Sequence, residues 1–115
     1  VKWEDSPAYG SYPGGRQHAE YTEGIFVGYR GYDKNNIEPQ FPFGYGLSYT
    51  TFKYANLKLS SEKISKDDEL TVSVTITNTG AVDGDEIVQL YMSDLKSSVE
   101  REMKALKGFK RVMLK

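Results

Sequence analysis

Residues 70–77 read LTVSVTIT, an unbroken alternation of apolar side chains with small polar ones. Successive side chains of a β-strand point to opposite faces, so this period of two predicts a strand with one buried and one solvated face. The tripeptide Asn78-Thr79-Gly80 follows at once and supplies residues that tolerate turn geometry. This stretch therefore indicates a β fold.

Three more strands are predicted around this one, at Phe52–Leu59, Glu86–Ser93 and Leu106–Leu114. Gly108, within the last of them, suggests a bulge or a close approach of another backbone. Strands at this spacing, with no helical period between them, predict an antiparallel sandwich. A sandwich of this class needs about seven strands. With four, the chain is expected to stop partway through such a domain.

Residues 1–49 differ in composition from residues 50–115. They hold eight of the eleven glycines, all four prolines and seven of the nine tyrosines, but five Val, Ile or Thr against fifteen in the second part. The regular elements predicted in the first part are a short strand at Ile25–Val27 and a helical turn at Tyr29–Lys34. Eleven aromatic residues are too many for disorder, so these loops are expected to lie on a scaffold outside this chain.

Composition and charge disfavour several classes of protein. Fifteen Lys and Arg against sixteen Asp and Glu give a net charge of −1, whereas nucleic-acid binders show a basic excess. The absence of cysteine excludes disulfides, thiolate metal sites and a cysteine nucleophile. The longest hydrophobic runs have three residues, so no membrane span is predicted. The chain starts at Val1 with no basic-then-apolar leader, so no signal peptide is predicted in it.

Several segments, in their order and spacing, resemble glycoside hydrolase family 3, the β-glucosidase and β-xylosidase group. Those segments are YTEGIFVGYRGYD at 21–33, PQFPFGYGLSYTTF at 39–52, NTG at 78–80, GDEIVQLY at 84–91 and LKGF at 106–109. The sequence departs from the family pattern at Glu102, where Pro is common, and at Ala105, where Glu is common. The resemblance covers nearly the whole chain.

The resemblance implies a domain plan. Family members have a (β/α)8-type barrel, an α/β sandwich and then a fibronectin type III-like domain. On that plan, residues 1–49 are the loop-rich C-terminal tail of the α/β sandwich domain with its connector. Residues 50–115 are the truncated N-terminal part of the fibronectin type III-like, immunoglobulin-like sandwich. The expected fold class is therefore mainly β.

The resemblance also implies a function for the longer protein. The parent is expected to be a retaining β-glycosidase that hydrolyses terminal, non-reducing β-linked sugars, either glucosides or xylosides. It would act through a covalent glycosyl-enzyme, with no metal or organic cofactor, on a β-linked oligosaccharide or glycoside bound by the other domains. No nucleic-acid or membrane partner is implied, a homo-oligomer is left open, and a secreted or periplasmic location is favoured.

No catalytic residue is assigned in this chain. The family's nucleophile is an Asp on the barrel, and its acid/base, usually a Glu, lies in the sandwich domain upstream, so neither matches a residue here. Retaining glycosidases need these two carboxylates roughly 5–5.5 Å apart. The chain alone is therefore expected to be inactive and to have a structural role, docking the fibronectin-like domain against the catalytic body. Substrate-binding residues are left unassigned, and no metal site is predicted.

The carboxylates that are present are predicted to be solvated or structural. Glu20 and Glu23 are three residues apart, and Asp33 and Glu38 flank a predicted turn. Acid/base division of labour needs a pocket that raises one pKa and leaves the other low, and nothing in the sequence predicts such a pocket. Arg30 and Asp33 are predicted to form or join a structural ion pair rather than a substrate clamp.

Other motifs also favour structural interpretations. Gly44–Gly46 lacks the rest of a dinucleotide fingerprint and predicts a tight turn with the neighbouring aromatic rings packed beneath it. Ser48 lacks the second glycine of a nucleophile elbow and is predicted to be a connector residue. The single histidine, His18, is predicted to be a loop residue. The acidic run at Asp83–Glu86 is too short for a calcium loop and predicts a hairpin turn.

The aromatic side chains of the first part leave two hypotheses open. They could stack on sugar rings, or they could be the packed side of loops that lie on a scaffold, and packing is favoured. The residues in question are Trp3, Tyr9, Tyr12, Tyr21, Tyr29 and Tyr32. Two alternatives to the glycosidase hypothesis follow. One is a stand-alone carbohydrate-binding module, and the other is a protein-interaction sandwich that completes its sheet with another chain.

Overall fold

The computed structural model describes residues 1–15 and 17–115. The described part is mainly β, with one short helix. Its regular elements are a 3-10 turn at Trp3–Asp5, helix α1 at Tyr29–Lys34, and strands β1 at Phe52–Leu59, β2 at Val72–Asn78, β3 at Gly84–Met92 and β4 at Ala105–Leu114. Strand β1 pairs with β2, and β3 pairs with β4, which gives two two-stranded sheets.

The predicted strands of the second part are confirmed with small shifts in their ends. Strand β1 has the predicted bounds, and the ends of the other three differ from prediction by one or two residues. The helical turn at Tyr29–Lys34 is also confirmed. The strand predicted at Ile25–Val27 is wrong. Residues 22–25 form a turn, because the backbone N–H of Phe26 donates to the carbonyl of Glu23 at 3.0 Å.

Strands β1 and β2 are antiparallel with one irregularity. Phe52 lies opposite Asn78, and Lys58 lies opposite Ser73. The register shifts between Ala55 and Lys58, where Asn56 takes a φ of +55°. Asparagine adopts this left-handed conformation more readily than most residues, so it suits the bulge.

Strands β3 and β4 are also antiparallel. The Arg111 guanidinium of β4 meets the Asp85 carboxylate near the start of β3, while just past the other end the Ser93 hydroxyl donates to the Met103 carbonyl. The hairpin turn predicted at Asp83–Glu86 is wrong. Strands β2 and β3 belong to different sheets, so residues 79–83 connect one sheet to the other, and Asp85 and Glu86 lie within β3.

Close approach of other atoms occurs at glycines other than the one predicted. A Cβ at Gly108 would meet no described atom within 4 Å. By contrast, a Cβ at Gly80 would overlap the hydroxyl of Thr50, and one at Gly84 would lie 2.6 Å from the Thr50 methyl carbon and 3.0 Å from the Ser48 hydroxyl. Side chains are thus excluded at both ends of the connection between β2 and β3.

The chain divides into two compact units. The first unit consists of residues 1–45 and 88–110, and the second unit consists of residues 46–87 and 111–115. Residues 46–87 are therefore inserted, in the order of the chain, between the two parts of the first unit. The domain boundary at 49/50 concerns the plan of a longer protein and stays a prediction.

Few apolar side chains are buried. Phe26 and Ala105, both in the first unit, are the buried hydrophobic residues of the described chain. On the face of β2 that was predicted to be buried, Val72 and Ile76 are half-buried and Val74 is 36% exposed. The exposed surface is 9840 Å² for 13.0 kDa, whereas a globular monomer of that mass exposes about 6,300 Å². Within the described residues, no helix has the length and apolar character needed to cross a membrane.

Candidate functional site

Helix α1 carries side chains that make polar contacts with residues more than 60 positions later in the chain. We call this group the α1 cluster, and its members are Glu23, Phe26, Tyr29, Arg30, Gly31, Asp33, Lys34, Tyr91, Glu100, Lys104 and Leu106. The helix begins after Gly28, whose φ of +59° is readily adopted by glycine, and it ends at Asn35. Most of the motif at 21–33 therefore lies in or beside this one helix.

Gly31 lets the helix pack closely on the chain before it. Gly31 is buried, and a Cβ there would overlap the ring of Pro7 and lie 2.5 Å from the carbonyl oxygen of Phe26. A backbone oxygen cannot swing away as a flexible side chain can. The close packing of α1 on Pro7 and Phe26 therefore requires glycine at this position.

Tyr29 joins the helix to strands β3 and β4. Its hydroxyl oxygen accepts a hydrogen bond from the backbone N–H of Leu106 at 2.9 Å. Its ring meets the ring of Tyr91 edge to face, with centroids 5.9 Å apart. These contacts connect residues 62 and 77 positions apart, so they hold the first unit together across the inserted residues.

Two lysines pair with carboxylates and also lie over aromatic rings. Lys34 Nζ lies 2.7 Å from Glu100 Oε1 and 3.6 Å from the centre of the Phe26 ring. Lys104 Nζ lies 3.4 Å from Asp33 Oδ2 and 5.4 Å from the centre of the Tyr91 ring. Such cation–π contacts add about 0.5–1 kcal/mol each at exposed sites.

Arg30 and Asp33 take different partners. Asp33 joins an ion pair, as predicted, but with Lys104. The Arg30 guanidinium lies 5.8 Å from the centre of the Tyr29 ring. A hydrogen bond with the Tyr29 side chain raises the pKa of Arg30, and the nearby charge of Glu102 adds to that effect. The arginine therefore stays charged at any pH the protein meets.

Three polar atoms of the motif at 21–33 are enclosed without a hydrogen-bond partner in the described part of the chain. They are Glu23 Oε2, Arg30 Nε and Asp33 Oδ2. The contact of Asp33 Oδ2 with Lys104 at 3.4 Å is an ion pair that lacks hydrogen-bond geometry. Enclosed polar atoms of this kind are uncommon in folded proteins, and these three lie within eleven residues of one another.

One cavity of the first unit is lined by several charged side chains that the sequence analysis did not predict to lie together. Its volume is about 220 Å³, and its lining includes Asp94, Glu102, Arg101 and Lys107. The charges of these two acidic and two basic side chains cancel. The described residues contain no group of three His, Cys, Asp or Glu side chains that could hold a metal ion.

A larger space, which we call the loop cavity, lies among loop residues that precede α1. Its volume is about 310 Å³, and it is lined by Gly10, Ser11, Tyr12, Pro13, Gly14, Gly15, His18, Glu20 and Thr22. His18 is a loop residue, as predicted, and its Nε2 lies 3.5 Å from Glu20 Oε1. The side chains of His18 and Glu20 are 72% and 70% exposed.

A cluster of three aromatic rings stands next to the loop cavity. The Trp3 ring meets the Tyr12 ring edge to face at 5.7 Å and the Tyr9 ring in the same manner at 6.0 Å. Tyr12 is 69% exposed and Trp3 is 54% exposed. The structure therefore separates the six aromatic candidates. Tyr29 and Tyr32 are half-buried, these three share an exposed cluster, and Tyr21 is 82% exposed.

The tight turn predicted at Gly44–Gly46 is confirmed. The N–H of Tyr45 donates to the carbonyl of Pro42 at 3.0 Å, and Gly44 takes a φ of +82°. Beneath the turn, the Phe43 ring packs edge to face on Phe109, with centroids 5.2 Å apart. The backbone carbonyl of Phe43 accepts a hydrogen bond from the Gln89 side chain at 2.9 Å.

In the second unit, Asn78 is the centre of a hydrogen-bond network. Its Oδ1 accepts from the Thr50 hydroxyl at 2.5 Å and from the Gly80 N–H at 3.0 Å. Its Nδ2 donates to the carbonyl of Val82 at 2.7 Å and to that of Leu114 at 3.4 Å. The two acceptor and two donor positions of the amide are all used, which explains why an asparagine ends β2.

The acidic residues of β3 make structural contacts with their neighbours. Asp85 Oδ2 lies 2.5 Å from the Arg111 guanidinium. Glu86 accepts a hydrogen bond from the Tyr54 hydroxyl at 2.7 Å, which connects β1 to β3 within the second unit. Burial and this bond to Glu86 raise the pKa of Tyr54 to about 12. Ser48 lies beside Gly84, and its role as a connector residue stays a prediction.

The sequence analysis singled out members of the α1 cluster that lie on the helix and missed members that lie later in the chain. Arg30 and Asp33 were singled out, whereas Tyr91, Glu100 and Lys104 were not. Those three residues lie more than 55 positions away in the chain and carry no local pattern that connects them to α1. Only the family motifs at 84–91 and 106–109 pointed to that region.

Comparison with known proteins identifies relatives along nearly the whole chain. The fibronectin type III-like domain family matches residues 86–115. Thermostable β-glucosidase B of Acetivibrio thermocellus is 50% identical over 114 residues, which are 99% of this chain and 15% of that protein. β-Glucosidase BoGH3A of Bacteroides ovatus is 49% identical over 118 residues, which are 99% of this chain and 16% of that protein.

Solved structures show the same likeness. A glycoside hydrolase family 3 β-glucosidase from Bifidobacterium adolescentis superposes with a TM-score of 0.85 at 40% identity, over 97% of this chain and 16% of that one. A β-glucosidase from Kluyveromyces marxianus gives 0.85 at 45% identity, over 99% of this chain and 13% of that one.

The resemblance to glycoside hydrolase family 3 is therefore confirmed, as is the mainly β, partial fibronectin type III-like fold. The chain spans about one-sixth to one-seventh of the length of these relatives, as the shares of 16% and 15% show.

Proposed function

We propose, from the likeness of this chain to the family 3 β-glucosidases, that the longer protein to which it corresponds hydrolyses β-glucosides. The observation that carries this proposal is the identity of 50% over 114 residues with a β-glucosidase. The reaction we propose releases the terminal non-reducing sugar and passes through a covalent glycosyl-enzyme, so that the anomeric configuration is retained.

The two reacting carboxylates are proposed to lie outside this chain. Retaining hydrolysis needs a nucleophile and a general acid/base that face one bound sugar ring. Four acidic residues, Asp33, Asp85, Glu86 and Glu100, are each engaged by a lysine, an arginine or a tyrosine hydroxyl. Such pairing supports a structural role for these carboxylates, and we propose that the chain alone is inactive.

The proposed role of this chain is to pack against the rest of the protein. Its surface exceeds that of a globular monomer of equal mass by about 3,500 Å². Obligate interfaces bury more than about 2,000 Å² counted over both partners, so an excess of that size on one side is large enough for an obligate interface. Exposed apolar side chains in both units support this role, among them Tyr49, which is 98% exposed.

The α1 cluster is proposed to be part of that packing surface. Glu23, Arg30 and Asp33 each have one enclosed side-chain atom that lacks a hydrogen-bond partner in the described residues. Leaving a buried polar atom unsatisfied costs about 1–3 kcal/mol. Groups from the remaining protein would satisfy these atoms and thereby make the docking specific.

The activity is tested on the full-length protein. We expect it to hydrolyse 4-nitrophenyl β-glucoside, with 4-nitrophenyl β-xyloside as the competing specificity. Proton NMR of the first product formed should show the β-anomer of the sugar. Release of the α-anomer would overturn the retaining mechanism, and hydrolysis of neither glycoside would overturn the proposed activity.

The structural role is tested in the same protein with a matched pair of variants. Glu23→Gln and Asp33→Asn should lower the midpoint of thermal unfolding while leaving KM for the glucoside unchanged. Glu4→Gln, which alters an exposed carboxylate outside the α1 cluster, is the control and should change neither. A rise in KM with an unchanged unfolding midpoint would contradict a structural role and indicate contact with the substrate.

A further inference from the structure

We propose that residues 93–104, which connect β3 to β4, form a strap that charge pairs hold on α1 and that salt releases while the sheet stays folded. The strap contains no helix or strand, and eleven of its twelve residues are exposed, with Glu102 half-buried. Its ends are held together, because the Ser93 hydroxyl donates to the Met103 carbonyl at 2.6 Å. The contacts lie within the first unit, so the inference does not depend on the proposed activity.

The strap is not packed on the strands at its base. A cavity of about 220 Å³ lies between them, lined by Asp94, Arg101 and Glu102 of the strap and by Met92 and Ala105 of the strands. Empty space provides no van der Waals partners for the side chains around it. With exposed side chains above and a cavity below, burial of apolar surface contributes little to the position of the strap.

Two ion pairs join the strap to α1. Glu100 Oε1 lies 2.7 Å from Lys34 Nζ, and Lys104 Nζ lies 3.4 Å from Asp33 Oδ2. The helix supplies the cation of the first pair and the anion of the second, so the charges of the two segments are complementary in order as well as in sign. The four side chains are between 25% and 68% exposed, so dissolved ions can reach both pairs.

A third attraction comes from Glu102. A hydrogen bond with Tyr29 raises the pKa of Arg30, and the nearby charge of Glu102 raises it further. Charges at positions 100, 102 and 104 of the strap therefore act on the same helix. A spacing of two residues is the one at which an extended chain presents successive side chains to one side.

The helix side of the first pair is in place before the strap closes. Lys34 Nζ lies 3.6 Å from the centre of the Phe26 ring, a contact to which the strap does not contribute. Closure therefore costs mainly the conformational entropy of the strap itself. Salt weakens the opposing attraction, because the Debye length falls from about 14 Å in 0.05 M NaCl to about 3 Å in 1 M NaCl.

Amide hydrogen exchange in the full-length protein tests the release of the strap. Peptides from residues 93–104 should exchange about threefold faster in 1 M NaCl than in 0.05 M NaCl, the effect of a few screened surface pairs. Residues 60–69, which are also exposed, are the internal control and should keep their rate, while β3 and β4 stay protected. Equal exchange of the strap at both salt concentrations would overturn the proposal, as would exchange at the unprotected rate in 0.05 M NaCl.

A matched pair of variants on the strap identifies the charges that hold it. Glu100→Gln removes the partner of Lys34 and should quicken exchange of the strap about threefold in 0.05 M NaCl, with a smaller further increase in 1 M NaCl. Lys96→Met is the control, because Lys96 forms no ion pair with the residues that the structure describes. Equal exchange in the two variants would contradict the role of Glu100.

Reversal of both charges tests the pairing itself. Lys34→Glu brings two like charges together and should open the strap further than Glu100→Gln does. Adding Glu100→Lys to that variant should restore most of the protection, but not all of it, because the contact of Lys34 with Phe26 is lost. The absence of any recovery would overturn the proposal. A variant that failed to fold would lose protection in β3 and β4 as well, and the salt response of the parent protein then decides.

Discussion

The two compact units are stabilised by different kinds of contact. In the first unit, side chains distant in sequence converge on helix α1, as when the Tyr29 hydroxyl accepts from the backbone of Leu106. In the second unit, the β1–β2 ladder and the Asn78 network provide many hydrogen bonds between neighbouring strands. The first unit therefore depends on a few points of close packing, whereas the second distributes its stability along a sheet.

A single added methyl group should disrupt the first unit. In Gly31→Ala, the new Cβ would overlap Pro7 and crowd the Phe26 carbonyl, and overpacking of this kind costs about 3 kcal/mol at the upper end of its usual range. Amide hydrogen exchange in the full-length protein should quicken for residues 23–34. Gly10→Ala is the control, since a Cβ at Gly10 meets no described atom within 4 Å, and equal exchange in the two variants would disprove the packing argument.

The second unit should lose less from the removal of its most connected side chain. Asn78→Ala removes four hydrogen bonds, but water can reach several of the groups released, so we expect a loss of about 2 kcal/mol. Asn78→Asp keeps the acceptor and loses the donors, and should fall between Asn78→Ala and the parent protein. The thermal unfolding midpoints of the three proteins check this order, and a more stable Asn78→Ala would contradict it.

Removal of the Tyr29 hydroxyl tests how much the long-range contacts of the first unit contribute to its stability. Tyr29→Phe keeps the ring on Tyr91 but leaves the Leu106 N–H without its acceptor, at a cost of about 1 kcal/mol. Hydrogen exchange at Leu106 is the direct readout and should quicken. Tyr21→Phe, at a tyrosine that is 82% exposed, serves as the control and should leave that exchange unchanged.

The smallest expected effect concerns the second unit at high pH. The folded pKa of Tyr54 is about 12, against 10.0 for the free side chain. Because this pKa is raised in the folded protein, the protonated Tyr54 hydroxyl stabilises the fold fully below pH 10, and that stabilisation is lost as the pH rises from 10 to 12. Because Tyr54 is 46% exposed, solvent screening keeps this effect small. The unfolding midpoint of the parent should approach that of Tyr54→Phe over this range, and parallel pH profiles would refute the linkage.

Local sequence pattern was sufficient for the elements whose side chains follow a fixed period. The alternation at 70–77 predicted β2 to within two residues, and β1 and α1 have the predicted bounds. The strand predicted at Ile25–Val27 failed because three apolar residues fit a turn as well as a strand. The hairpin predicted at Asp83–Glu86 failed because pairing between strands depends on partners that local sequence does not encode.

The candidate site was less predictable than the fold. Arg30 and Asp33 could be named because charged residues stand out in an aromatic segment, yet their neighbours could not. Lys104 reaches Asp33 through the path of the chain between them, and no period or spacing expresses that path. The loop cavity likewise depends on turn conformations such as that of Gly14, which no local period predicts.

The insertion of residues 46–87 within the first unit has a consequence for biosynthesis. A ribosome adds about 5–20 residues per second, so residues 1–45 wait roughly 3–13 s before residue 110 has been added. During that interval Tyr29 has neither Tyr91 nor Leu106 to contact, so the contacts that join α1 to β3 and β4 can form only after both strands have been made.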